Sequence, residues 1–138
     1  IKCVNLKTGR RPSSLLITPA WGFVVVYETF IQDGKLLHAI EVFSINGELI
    51  RSTTNQQIQI PQAIKSWSAF RDNKGFDYVI MANDKNECFL TEVFYLNNLD
   101  QPFFATQSNI TAISFLTDES VALVATTNGD IIFVPFRL

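Results

Sequence analysis

The chain has 138 residues, 47% of them hydrophobic and 17% charged, with a formal net charge of −2. That balance excludes a disordered segment, which lacks the apolar residues to form a core, and it excludes the basic footprint of a nucleic-acid binder. The longest apolar runs, such as residues 22–27, fall far short of the about 20 residues that a membrane-spanning helix needs.

Abundant Phe, Val, Ile and Thr favour strands over helices, and no segment carries a sustained helical period. Three dipeptides punctuate the chain as hairpin turns: Asp33-Gly34, Asn46-Gly47 and Asn128-Gly129. Asn, Asp and Gly tolerate the positive φ of tight hairpins. Taken in order, the predicted strands are 15–19, 22–27, 36–45 and 48–53, with a loop at 31–35. A polar stretch over 54–59 leads to Pro61. The order then recurs, with strands at 64–70, 76–82, 87–96 and a short fourth at 103–107. A third pass places strands at 110–116, 121–126 and 130–136.

The recurrence has a period. Leu15 precedes Ile64 by 49 residues, and Ile64 precedes Ile110 by 46. Four-stranded repeats of about 40 to 50 residues are the sequence signature of propeller blades. Second strands read as continuous apolar runs: Phe23-Val24-Val25-Val26-Tyr27, Tyr78-Val79-Ile80-Met81-Ala82 and Val121-Ala122-Leu123-Val124-Ala125. Strands covered on both faces read this way. The fold class expected is all-β: a partial β-propeller of about three four-stranded antiparallel blades. The blades fall at 14–55, 63–108 and 110–138. A β-sandwich is the competing architecture, since it too has short strands and regular turns. Three blades do not close a ring, so faces rich in Val, Ile and Phe are expected to stand open and to invite association.

Several phrases together resemble the C-terminal WD-repeat propeller of BEACH-domain (beige/neurobeachin-like) proteins. They are Leu15-Leu16-Ile17-Thr18-Pro19-Ala20-Trp21-Gly22-Phe23, Val42-Phe43-Ser44-Ile45-Asn46-Gly47-Glu48, Ile64-Lys65-Ser66-Trp67, Gly75-Phe76-Asp77-Tyr78, and the ending Gly129-Asp130-Ile131-Ile132-Phe133-Val134-Pro135-Phe136. No Trp-Asp pair closes a repeat and no Gly-His pair opens one, so the chain departs from the usual WD repeat. The resemblance implies that residues 1–10 end a preceding blade and that the chain is the last part of a longer protein. It also implies a scaffold role in membrane traffic and lysosome-related processes. The location it implies is cytoplasmic, with peripheral membrane association through the parent protein. Unidentified proteins are the expected partners, with no nucleic acid and no integral membrane span.

The residues point to no enzyme: no catalytic, cofactor-binding or metal-binding residue is assigned, and no cofactor is expected. His38 is the one histidine, too few for a multi-His metal site, and no Gly-x-Ser-x-Gly elbow accompanies it; it reads as structural or solvent-facing. Cys3 and Cys88 sit in neither CxxC nor zinc-ligand spacing and read as buried or half-buried free thiols. Asn109-Ile110-Thr111 fits a glycosylation triplet but leads into a strand. Asp72, Asp77 and Asp84 cluster around one hairpin, yet Asp72 and Asp84 fall in turns, where Asp is favoured for local hydrogen bonding. Trp21 and Trp67 are expected to be buried between blades, and Arg10, Arg11 and Arg51 to be solvated. Binding is expected in the loops 28–35, 54–62, 72–75 and 97–102, and most distinctively in a long insertion over 29–36. The alternatives are a sugar-processing propeller enzyme, which would need paired carboxylates on several loops, and a segment that only completes a ring.

Overall fold

The computed structural model describes residues 1–55, 57–58, 60–61 and 63–137; Gln56, Gln59 and Gln62, within the loop expected over 54–62, lie outside the described residues. Among the described residues eleven strands form, and no helix. The first sheet comprises β1 (Arg11–Ile17), β2 (Val24–Gln32), β3 (Lys35–Phe43) and β4 (Leu49–Ser52). The second comprises β5 (Ile64–Arg71), β6 (Asp77–Asn83), β7 (Glu87–Glu92) and β8 (Phe104–Ala105). The third comprises β9 (Ile110–Leu116), β10 (Val121–Thr126) and β11 (Ile131–Pro135). Each sheet is an antiparallel meander whose strands pair in chain order.

Every strand expected from the sequence is present, and β9 and β10 have the expected bounds. Two expectations are corrected. The loop over 28–35 and the insertion over 29–36 do not exist as loops. The β2 and β3 strands continue in register through Phe30–Leu37 and Ile31–Leu36 to Gln32–Lys35. A two-residue turn closes them, with Asp33 at φ 53° and Gly34 at φ 74°. Successive positive φ values match the right-handed twist of a hairpin, so a long hairpin is more favourable than a loop here. The third strand of the second sheet stops at Glu92 rather than at Leu96. The chain instead turns, with Leu96 N–H donating to the Glu92 carbonyl at 2.7 Å. The turn buries both Val93 and Leu96; a continuing strand would send residues of odd spacing to opposite faces. Residues 1–10 form no strand.

Strand alternation decides how the sheets stack. In β6, Val79 and Met81 point to the first sheet and join a core with Val25, Tyr27, Ile40 and Val42. Ile80 and Ala82 point the other way, into a core with Ile113, Phe115, Ala122 and Val124 of the third sheet. The second sheet is thus covered on both faces. Its β6 side chains Val79, Ile80 and Met81 are at most 1% exposed. Each side chain of that size contributes about 1.5–3 kcal/mol when wholly buried, so this strand anchors the molecule. The outer face of the third sheet carries Leu116, Ile131 and Phe133, all exposed, an apolar face of the kind buried elsewhere in the stack. No described helix is long and apolar enough to cross a membrane.

Candidate functional site

One edge of the first two sheets gathers their β1–β2, β3–β4, β5–β6 and post-β7 turns. The side chain that organises this edge is Asp77, the first residue of β6, which is 1% exposed. Its carboxylate reaches across to the first sheet. Oδ2 accepts from the Thr18 hydroxyl at 2.7 Å and from Trp21 N–H at 2.9 Å, and Oδ1 accepts from Ala20 N–H at 2.8 Å. Thr18 Oγ1 in turn accepts from Phe23 N–H at 2.9 Å. Hydrogen bonds to a charged acceptor are the strong ones. The turn over 18–22 is therefore held by a buried anion from the neighbouring sheet.

This latch presents Trp21 to solvent. Trp21 is 66% exposed, and its Nε1 donates to the Gly75 carbonyl at 3.1 Å. The expectation that Trp21 is buried is thus overturned: the turn that Asp77 fixes lies at the sheet edge, outside the stacking cores. Trp67 is half-buried, donating to Ser14 Oγ at 2.9 Å and meeting Tyr27 edge-on at 6.1 Å. Trp21 stacks on Phe23, Phe23 meets Phe94, and Phe94 meets Tyr95 edge-on at 5.1 Å. Together with Phe76 and Glu92 these residues line a cleft of about 270 Å³.

Arg51 packs on two of the rings that line the cleft. Its guanidinium lies 5.2 Å from the Phe94 ring centre and 5.8 Å from that of Tyr95, and its Nε donates to the Phe94 carbonyl at 2.7 Å. Arg51 is thus an oriented group rather than a freely solvated charge. The Glu92 carboxylate accepts from Tyr95 N–H at 3.1 Å.

A second polar group sits in the first sheet, on the face away from the second. Arg10 Nη1 approaches Glu28 Oε1 at 3.5 Å and Glu41 Oε1 at 3.9 Å, with side-chain exposures of 7%, 0% and 4% for the three residues. Arg10 also lies 4.5 Å over Phe30 and donates to Thr54 Oγ1 at 2.9 Å. The expectation of a solvated Arg10 fails because the ring and both acids cover it. Burial, with the Glu41 carboxyl beside it, pushes Glu28 up to about 8, against the opposing pull of Arg10. Among the described residues Glu28 Oε2 has no hydrogen-bond partner. Sealed from solvent, this trio is out of reach of a substrate.

The remaining sequence candidates scatter. Asp72 Oδ1 accepts from Lys74 N–H and Phe76 N–H, both at 2.9 Å, and so caps its own turn. Asp77 is the latch, and Asp84 sits in the β6–β7 turn. Among the described residues no group of three or more His, Cys, Asp or Glu could hold a metal. His38 stacks on Tyr27 at 5.3 Å, and burial lowers its pKa. Both cysteines are free, but Cys3 is exposed rather than buried, as are all of residues 1–5. Burial pushes the Cys88 thiol up to about 12, which keeps it unreactive. The loop over 97–102 borders a separate cavity of about 420 Å³ with Tyr78 and Phe136. No family model matches the chain, and a search of curated proteins finds no match.

Sequence reading missed the latch and the exposed cleft. The aromatic residue types at 21, 76, 94 and 95 were a signal, but their common edge depends on sheet stacking.

Proposed function

We propose that the chain is a non-catalytic protein-docking scaffold, three successive blades of a β-propeller like that of BEACH-domain proteins, with the aromatic edge cleft as its docking face. The observation that carries the docking role is a set of exposed rings, Trp21, Phe76 and Tyr95, on turns whose N–H groups are held by carboxylates: Trp21 by Asp77, Phe76 by Asp72 and Tyr95 by Glu92. Exposed aromatic anchors on a rigid support are what protein interfaces use as hot spots. The blade reading is supported by meanders that stack face to face in chain order and by the open apolar face of the third sheet, which suits a further sheet. On resemblance alone, the scaffold serves membrane traffic at the cytoplasmic side. The sugar-processing alternative is disfavoured: Asp72 is engaged by its own turn, and Glu28 and Glu41 are sealed.

The test is photo-crosslinking in cell extract from a benzophenone side chain replacing Phe76, with the same replacement at exposed Ser13 as control. A discrete adduct from position 76, competed by unlabelled chain and lost with Trp21→Ala, is expected. Adducts no different from those at position 13 would defeat the docking face.

A further inference from the structure

The polar groups around the cleft state what kind of partner fits it. The carboxylates around it are already engaged by backbone N–H donors: Glu92 by Tyr95, Asp77 by Ala20 and Trp21, and Asp72, in the adjoining turn, by Lys74 and Phe76. The Arg51 cation is not matched in the same way: among the described residues, the only hydrogen bond of its side chain is from Nε. Cation–π contact with the Phe94 and Tyr95 rings and the Nε bond to the Phe94 carbonyl together orient the Arg51 guanidinium. Both Nη groups are left as a pre-oriented fork, the geometry that receives a carboxylate with two parallel hydrogen bonds. Next to that fork lies a cleft of about 270 Å³ with mostly aromatic walls, below the about 300–1,000 Å³ of sites that enclose a whole small molecule. Its size suits a side chain.

Resting on the docking reading above, we propose that the cleft takes a bulky apolar side chain from a partner peptide and that an Asp or Glu next to that side chain lands on Arg51. The ring walls supply the affinity, and the guanidinium supplies the selection for an acidic neighbour. An amide in that place leaves the fork half-satisfied, and a lysine there meets a like charge.

Fluorescence anisotropy of the whole chain with three labelled peptides tests this. Each peptide carries one Phe in a Gly-Ser background, flanked by Asp, by Asn or by Lys. The Asp peptide is expected to bind about tenfold tighter than the Asn peptide, the Lys peptide most weakly, and the preference is expected to shrink with added salt. Arg51→Gln is expected to erase the Asp-over-Asn preference and Arg51→Lys to keep part of it, while Trp21→Ala weakens all three peptides. A Lys peptide that binds tightest, an Asp preference that survives Arg51→Gln, or no binding by any peptide overturns the proposal. If the peptides are not discriminated while the position-76 adduct still depends on Trp21, the partner class is wrong and the docking face stands. If the adduct is lost as well, both fall.

Discussion

The first and second sheets are joined differently from the second and third. Both junctions bury alternating apolar side chains, but the first adds polar pins across its edges. Asp77 holds the turn over 18–22, Ile64 N–H donates to the Tyr27 hydroxyl at 3.1 Å, Trp67 donates to Ser14, and Arg51 donates to the Phe94 carbonyl. The second junction is drier. Phe70 lies flat on Phe115 with ring centres 3.9 Å apart, and its polar contacts centre on Asn86, which accepts from Ile110 N–H and donates to Asn109. Apolar contact alone is non-directional; a buried carboxylate with specified donors admits one placement. The exposed cleft lies at the pinned junction, where the Asp77 carboxylate of the second sheet holds a turn of the first.

The largest effect is expected at the dry junction. Phe70→Ala removes a side chain 6% exposed and leaves Phe115 and Tyr78 without their stacking partner. The cost is expected to be about 3–5 kcal/mol, read from urea unfolding. A loss below about 1 kcal/mol would mean that the third sheet is not held by this stack.

Next comes the pin. Asp77→Ala strands the Ala20 and Trp21 N–H groups and the Thr18 hydroxyl. It is expected to cost about 2–3 kcal/mol and, unlike Phe70→Ala, to change the fluorescence of exposed Trp21. Equal spectral change in both variants would erase the distinction between the junctions.

The smallest change at neutral pH is expected from Glu28→Gln, which replaces a carboxyl already protonated in the fold. Glu28 titrates near 8 when folded against an ordinary 4.5. Between those values the folded chain therefore holds a proton that the unfolded chain has released, and stability falls as pH rises through that window. It is fully present below about 4.5 and gone above about 8. Glu28→Gln should flatten this dependence; an unchanged slope would assign it elsewhere.

Much of the fold was legible because strand alternation and turn dipeptides are local. The two faces of β6 can be read from Val79-Ile80-Met81-Ala82 without knowing the partners. The long β2–β3 hairpin was misread because Gln32-Asp33-Gly34-Lys35 looks like a polar loop, while the cross-strand pairs Phe30–Leu37 and Ile31–Leu36 that extend it appear only in register. Arg10 beside Arg11 looked like a solvated pair; its burial depends on Phe30 and Glu28, which the fold brings over it. The site was less legible still. The donors to Asp77 lie in a turn more than fifty residues earlier in the chain, and nothing local to Gly75-Phe76-Asp77 distinguishes an inter-sheet latch from a strand-entry Asp.

The second sheet is enclosed on both faces, while the third is covered on one. Strands β6 and β10 are each hydrogen-bonded on both edges and differ in face coverage, so amide hydrogen exchange separates the two effects. Markedly slower exchange is expected over Asp77–Asn83 than over Val121–Thr126 in dilute solution; exchange over β10 as slow as over β6 would contradict the enclosure of the second sheet alone on both faces.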